Sequence, residues 1–112
     1  VRDWIYIEDH ISAINLLLDK GKVGESYCIG SNNELRNIEL IKKICKISDT
    51  LLKRDSNSFD LVEFIKDRPG HDFRYSISPS KIQDLGWKSK ISFDKTLEKT
   101  INWYIKNPNW LI

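Results

Sequence analysis

Residues 66–72 read KDRPGHD and directly follow an apolar run, LVEFI, at residues 61–65. The alternation in that run predicts a half-buried strand. The proline fixes φ and the glycine permits a turn that other residues resist, so the motif predicts a rigid loop at a strand end. Arg68 and His71 flank the turn and suit a bound phosphate or carboxylate. A solvated turn is the alternative interpretation of the motif taken alone.

Length and composition indicate one small domain with a core of its own. The chain has 112 residues, of which 40% are hydrophobic and 30% charged, an ordinary balance for a globular protein. The net charge of +2 is too small to favour nucleic acid or an anionic membrane as a partner. No apolar run approaches the length that a bilayer requires. We therefore expect neither a nucleic-acid nor a membrane partner.

The two cysteines and the start of the chain each carry an expectation. Cys28 and Cys45 both lie in apolar stretches without paired spacing, which predicts buried free thiols rather than a disulfide or a zinc site. A reducing cytoplasm fits this usage. The sequence begins within a strand-like pattern and contains no Met, so we expect it to be the tail of a longer protein.

Apolar periodicity predicts the element order β-α-β-α-β-β-α-α, an α/β arrangement. The predicted strands are residues 2–7, 25–30, 61–65 and 74–77, and the predicted helices are residues 9–20, 37–51, 80–85 and 93–106. Asp9 is expected as N-cap or first-turn acid, and Asn37 and Ser92 as N-caps. The N-terminus of the helix at Asn37 is also an anion-facing corner, with plain capping as the alternative.

Several familiar catalytic patterns are missing from this sequence. Its glycines do not form the spacing that lets a backbone approach a dinucleotide, and no Tyr is followed by Lys four residues later. No Ser/His/Asp signature, phosphate-binding loop or metal-ligand cluster is present. We therefore assign no catalytic, cofactor-binding or metal-binding residue to this chain.

Four parts of the chain resemble, in order, the dTDP-glucose 4,6-dehydratase family. Residues 1–10, VRDWIYIEDH, are similar to the family's RDW-x-Y-V-x-DH. Residues 24–37, GESYCIGSNNELRN, resemble GE-x-Y-x-IGG-x-NE-x-x-N, and residues 67–77, DRPGHDFRYSI, resemble DRPGHD-x-RYAID. Residues 81–87, KIQDLGW, resemble the family's tail motif K-I-x-x-x-LGW with one residue fewer before the Leu, and residues 100–104 match the T-x-x-WY that follows it. Cys28 and Ser31 depart from a common Asn and a usual Gly, which leaves the geometry of that loop open.

This resemblance implies an extended short-chain dehydrogenase/reductase, in which an N-terminal Rossmann domain binds NAD and a C-terminal part binds the nucleotide sugar. Residues 1–112 are then expected to be one small α/β module, the C-terminal substrate-binding portion, with the Rossmann core largely absent. The implied reaction converts dTDP-glucose to dTDP-4-keto-6-deoxyglucose and water, for deoxysugars such as rhamnose. The resemblance places the catalytic groups in the N-terminal domain, so we expect this chain alone to be inactive. It also implies a cytoplasmic homodimer at full length.

The site residues carried over by the resemblance all bind the nucleotide sugar. They are Arg2, Asn37, Asp67, Arg68, Pro69, Gly70 and His71. The match assigns Arg2 and Asn37 to the diphosphate, and the loop to the deoxyribose and diphosphate. Charge-assisted pairs of this kind contribute on the order of 1.5–3 kcal/mol each. A neutral His71 is expected to donate one further hydrogen bond, a pH-sensitive contact.

Two alternatives to this function remain open. One is another nucleotide-sugar epimerase, dehydratase or decarboxylase, since these enzymes share the Arg-Asp strand at residues 2–3. The other is a non-catalytic module that binds a nucleotide sugar or a partner, since the chain lacks catalytic groups. An upstream glycine loop and a Tyr-x-x-x-Lys pair would distinguish an enzyme from such a module.

Overall fold

A computed structural model describes residues 1–111 and shows a small, helix-rich module with one short sheet. Strands β1 (Arg2–Asp3) and β2 (Glu34–Leu35) pair antiparallel, with Arg2 opposite Leu35. On the other side of β1, the Tyr75 N–H donates to the Val1 carbonyl at 3.0 Å. The segment around residue 75 therefore lies beside β1, and this places the loop at 67–72 next to Arg2.

The other regular elements of the described residues are four α-helices and two short 3₁₀ helices. The α-helices are α1 (Ile7–Lys20), α2 (Asn37–Leu52), α3 (Ser80–Gln83) and α4 (Phe93–Lys106), and the 3₁₀ helices are Ser58–Leu61 and Pro108–Trp110. Within this part of the chain, no helix is both long enough and apolar enough to cross a bilayer.

The core forms where α3 and the turn after it pack on α1. Ala13 and Ile82 are fully buried and Trp87 is 6% exposed, as expected for a tryptophan that packs onto the core. The Trp87 indole N–H donates to Ser12 Oγ at 3.0 Å, which satisfies its one polar group. Asp9 is also buried, and its carboxylate accepts from Ser89 Oγ at 2.5 Å. These two hydrogen bonds hold residues 87–89 against α1.

Helix α4 has the predicted bounds and the predicted N-cap position, Ser92, and it packs against α2. An ion pair at 2.7 Å between Lys43 and Asp94 joins the two helices. Thr96 is the buried residue of α4. The apolar periodicity of this helix predicts Tyr104 on its buried face, but Tyr104 is 39% exposed, so this prediction is wrong.

Two helix starts differ from the predicted caps. Helix α1 begins at Ile7, so Asp9 is an acid of its first turn and not its N-cap. Asn37 is the first residue of α2, and the N-cap is Arg36, whose N–H donates to Glu39 Oε2 at 2.8 Å. The Glu39 carboxylate thus provides the capping contact that we expected from Asn37.

Three of the predicted strands do not form in the described residues. Residues 25–30, 61–65 and 74–77 have no ladder partner, although parts of them are extended. Leu61 ends a 3₁₀ helix, and Phe64 and Ile65 are 85% and 89% exposed, so the half-buried strand is wrong. Alternation of apolar and polar residues places the apolar side chains of an extended segment on one side. A strand also requires a neighbouring strand that bonds to its backbone N–H and C=O groups.

The cysteines are free, as predicted, but they are not both buried. Cys28 is exposed and Cys45 is half-buried. The prediction failed at Cys28 because its strand does not form, so the apolar residues around it do not enclose it.

The described chain is extended for its length. Its radius of gyration is 16.9 Å, against about 13 Å for a compact chain of this size. Its accessible surface is 8893 Å², against about 6,400 Å² for a compact monomer of this mass. The excess includes large apolar side chains that are more than four-fifths exposed, among them Leu18, Phe64, Ile65 and Phe73.

Candidate anion-binding site

The guanidinium of Arg2 is held on several sides by the loop that follows residue 67. Its Nη2 lies 2.9 Å from His71 Nε2 and donates to the Asp72 carbonyl at 3.3 Å. Its Nη1 donates to the Val1 carbonyl at 2.7 Å, and the ring of Tyr75 lies 4.3 Å from the guanidinium carbon. These contacts use part of its fork of five N–H groups. The others have no acceptor among the described residues.

The position of Tyr75 depends on a second contact. Its hydroxyl donates to the Asp72 carboxylate. This hydrogen bond is the main reason that the pKa of Tyr75 is raised. The ring is thereby fixed beneath Arg2, where the cation–π contact favours one orientation of the guanidinium.

The tight turn predicted from the motif is present. The His71 N–H donates to the Arg68 carbonyl at 3.3 Å, and Gly70 has a φ of +69°, which the absence of a side chain permits. Asp67 Oδ1 accepts from the Arg68 N–H at 2.9 Å and lies 2.5 Å from His71 Nδ1. The hydrogen bond with the imidazole is the main reason that the pKa of Asp67 is lowered.

The neighbours of His71 determine its tautomer. A guanidinium can only donate and a carboxylate can only accept, so Nε2 accepts from Arg2 while Nδ1 carries the hydrogen and donates to Asp67. Both ring nitrogens then have protein partners. We expected a neutral His71 to donate a further hydrogen bond to the ligand, but in this structure its ring has no free N–H for it.

The remaining predicted site residues, Arg68, Pro69 and Asn37, are exposed. The Arg68 side chain has no hydrogen-bond or ion-pair partner among residues 1–111, and Pro69 is exposed at the tip of the turn. Asn37 is exposed in the first turn of α2, two residues after Leu35, which pairs with Arg2. The structure thus joins Arg2 to the 67–72 loop by direct contacts, and it relates Asn37 to them only through the sheet.

Sequence reasoning missed a carboxylate that joins β2 to the segment after the loop. Glu34 accepts two hydrogen bonds from Arg74, each at 2.8 Å, and one from Ser76 Oγ at 2.5 Å. The pKa of Glu34 is lowered, mainly by the hydrogen bonds from Arg74. Arg74 lies 40 residues away along the chain, and nothing in the local pattern indicates the pair.

Asp3 organises the loop in which Ser31 replaces the usual glycine. Its carboxylate accepts from the N–H groups of Ser31 and Asn33, each at 2.8 Å, and from Ser31 Oγ at 2.9 Å. The same Oγ also lies 2.7 Å from the Trp4 carbonyl oxygen, and its single hydrogen is donated to one of these two acceptors at a time. Ser31 therefore adds a side-chain hydrogen bond that a glycine could not make, and the neighbouring Asn32 has a positive φ of +59°.

The charges of the site favour an anionic ligand. Arg74 is neutralised by Glu34, whereas Arg2 forms no ion pair with a carboxylate, and Arg68 forms none either, within the described part of the chain. The guanidinium of Arg2 lies on the strand and that of Arg68 on the loop, and a guanidinium can bind a phosphate through charge-assisted hydrogen bonds. Residues 1–111 contain no cluster of three or more potential metal ligands.

The model of the GDP-mannose 4,6 dehydratase family matches residues 1–100. The chain belongs to this family. Among the curated relatives, a probable dTDP-glucose 4,6-dehydratase of Sinorhizobium fredii is 45% identical over 98% of this chain. The dTDP-glucose 4,6-dehydratase of Haemophilus influenzae is 46% identical over 96% of the chain, and one of Escherichia coli is 47% identical over 98%.

These members of the GDP-mannose 4,6 dehydratase family are much longer than this chain. It covers 32% of the Sinorhizobium and Escherichia proteins and 33% of the Haemophilus protein. The chain thus spans about a third of the length of the curated relatives that it matches, and it corresponds to their C-terminal portion. The resemblance drawn from the sequence motifs is confirmed.

Proposed function

We propose that this chain is the substrate-binding portion of an NAD-dependent dTDP-glucose 4,6-dehydratase, which forms dTDP-4-keto-6-deoxyglucose and water for deoxysugar synthesis. The observation that carries this proposal is the Arg2 guanidinium, held against the 67–72 loop. The same loop contains Arg68, whose side chain has no partner among the described residues. The names of the relatives support the choice of dTDP-glucose as substrate.

In this proposal the chain binds the substrate mainly through its diphosphate. Arg2 donates to it from N–H groups that have no acceptor in the described residues, and Arg68 approaches from the turn. Asn37 adds an amide donor at the positive end of α2. The exposed Pro69 and Gly70 leave the backbone of the turn open to the deoxyribose. Each charge-assisted hydrogen bond contributes on the order of 1.5–3 kcal/mol.

The chemistry of the reaction belongs, in this proposal, to the rest of a longer protein. Bound NAD supplies the hydride acceptor and donor for oxidation at C4 and reduction at C6. The residues of the present chain bind and orient the sugar nucleotide while water leaves across C5–C6. This division predicts no turnover by the chain alone, even with NAD added. Formation of the 4-keto sugar by the isolated chain would contradict it.

The exposed apolar side chains support a further part of the proposal. Leu18, Phe64, Ile65 and Phe73 contribute to a surface larger than a compact monomer of this mass has. We infer that this surface packs against the NAD-binding domain of the full-length protein. By resemblance to the family, that protein is a cytoplasmic homodimer.

A related enzyme with another nucleotide sugar is the second candidate. The description of the family model, which refers to GDP-mannose, favours it. Contacts to a diphosphate do not distinguish thymine from guanine, so Arg2 and Arg68 fit both substrates. Competition between dTDP and GDP for the full-length protein decides the question. Tighter binding of GDP would support this second candidate.

Calorimetry with dTDP on the full-length protein tests the proposed site. We expect Arg68→Ala to weaken dTDP binding by about 10- to 100-fold, the equivalent of one lost charge-assisted contact. NAD affinity should remain close to that of the wild type. Arg54→Ala is the matched control, because Arg54 is an exposed arginine whose partner is Ser58 in a different part of the structure. An unchanged dTDP affinity in Arg68→Ala would remove Arg68 from the site.

A further inference from the structure

The imidazole of His71 lies between two groups with opposite hydrogen-bonding requirements. Nδ1 is 2.5 Å from the carboxylate of Asp67, and Nε2 is 2.9 Å from the guanidinium of Arg2. Of the two neutral tautomers, only the one with hydrogen on Nδ1 satisfies both neighbours. In the other tautomer an N–H would face the guanidinium and a lone pair would face the carboxylate.

Asp67 is well placed to impose this choice. Its Oδ1 also accepts from the Arg68 N–H at 2.9 Å, so the turn itself orients the carboxylate toward the ring. The side chain of His71 is 28% exposed and that of Asp67 is 73% exposed. Because Asp67 already bonds to the turn and the ring, and because phosphate repels a carboxylate, direct contact with a diphosphate is unfavourable for it.

We propose that Asp67 is a positioning residue, which fixes the Nδ1–H tautomer of His71 so that Nε2 holds the Arg2 guanidinium in place for the diphosphate. This inference rests on the proposed function for its ligand, although the tautomer itself does not depend on any ligand. The other charged or titratable groups around the pair are Arg68, Asp72 and Tyr75. Of these, Asp72 contacts Arg2 through its carbonyl, and Tyr75 through its ring.

The tautomer can be measured by nitrogen NMR of the full-length protein containing isotope-labelled histidine. The signals of His71 are assigned by their loss in His71→Gln, and spectra are recorded at about pH 8, where an ordinary imidazole is neutral. We expect the wild type and Asp67→Asn to have Nδ1–H, because the Asn side-chain oxygen still accepts. In Asp67→Ala only Arg2 still favours Nδ1–H, so the population of Nε2–H should rise. Asp55→Ala is the control, because it removes an exposed aspartate from a different loop and should leave the His71 tautomer unchanged.

Binding of dTDP supplies the second readout. We expect Asp67→Ala to weaken it by about tenfold, and Asp67→Asn to recover most of the loss, since a neutral hydrogen bond replaces a charged one. In turnover assays the KM should rise more than kcat falls. Amide spectra that match the wild type show that each variant is folded.

The two proposals fail in distinguishable ways. An unchanged His71 tautomer in folded Asp67→Ala would overturn the positioning role, whatever the protein binds. A loss of affinity in Asp67→Ala that Asp67→Asn does not recover would also overturn it, since the charge and not the tautomer would then matter. Failure of the wild type to bind dTDP, with the tautomer change intact, would overturn the proposed function alone.

Discussion

At the scale of single residues, the polar contacts of three carboxylates define the site, and two of the three acids bind partners that are far away along the chain. Asp3 fixes the loop at residues 31–33, Asp67 orients His71, and Glu34 binds the segment that follows the turn. Each contact satisfies backbone or side-chain donors that would otherwise lack partners. The sequence shows that these acids exist, but for Asp3 and Glu34 the distance along the chain to their partners conceals what they bind.

Glu34 should make the stability of the protein depend on pH. Its pKa is lowered in the folded state, so its contribution is present above the ordinary glutamate pKa and is lost as the pH falls through the lowered value. In the wild type the urea concentration at the midpoint of unfolding should fall as the pH is lowered from about 5 to about 3. We expect this fall to be smaller in Glu34→Gln. Urea unfolding at several pH values measures this. Glu63→Gln, in an exposed segment, is the control, and identical pH profiles for the two variants would contradict the prediction.

Gly30 should not tolerate a side chain. A Cβ at this position would lie 2.6 Å from Asp3 Oδ2 and 3.0 Å from Ile77 Cγ1. Because Asp3 cannot move without losing its hydrogen bonds to the loop, Gly30→Ala is expected to destabilise the protein by about 1–3 kcal/mol. Chemical denaturation provides the free energy of unfolding, and a value equal to that of the wild type would show that the loop adjusts freely.

At the scale of elements, helices were more predictable than strands, of which only the first formed, and only at Arg2–Asp3. The 3.6-residue periodicity of α4 predicted its exact bounds, because the hydrogen bonds of a helix are local. The run at residues 61–65 alternates as a strand does, yet it has no ladder partner in the described structure. A strand depends on a distant segment, so the sequence of the strand alone does not determine whether it forms.

Trp87 connects α1 to the turn after α3, and its ring should matter more than its N–H. Trp87→Ala is expected to cost about 3–5 kcal/mol of stability, because it leaves a cavity beside Ala13 and Ile82. Trp87→Phe keeps an aromatic ring and loses the hydrogen bond to Ser12, so its cost should be clearly smaller. Comparison of the two free energies of unfolding tests this order, and equal losses would contradict it.

At the scale of the whole molecule, the dominant feature is the large apolar surface that no other described residue covers. The resemblance identified the residues around the site, and the structure brings Arg2 and the 67–72 loop together, but no local signal predicted their contacts. These contacts depend on backbone pairing across the full chain, as between Val1 and Tyr75. The extended shape itself was not predictable from composition, which is that of an ordinary globular domain.

The isolated chain should behave as an incompletely covered domain. We expect the monomeric chain to bind a hydrophobic dye and to unfold over a broad temperature range, because apolar side chains such as Phe64 and Ile65 face solvent. The same residues within the full-length protein should unfold cooperatively. Differential scanning calorimetry of both proteins makes the comparison, and a sharp, cooperative transition in the isolated monomer would contradict this prediction.

The contact between Arg2 and His71 joins residues that are 69 positions apart, and it therefore exists only when the chain is folded. A nucleotide that requires this contact has affinity for the native state and essentially none for the unfolded chain. By mass action, such a ligand at about 100 times its dissociation constant adds about 2.7 kcal/mol to the free energy of unfolding. Under the proposed function this ligand is the nucleotide sugar, and its cellular concentration then helps to set how much of the protein is native.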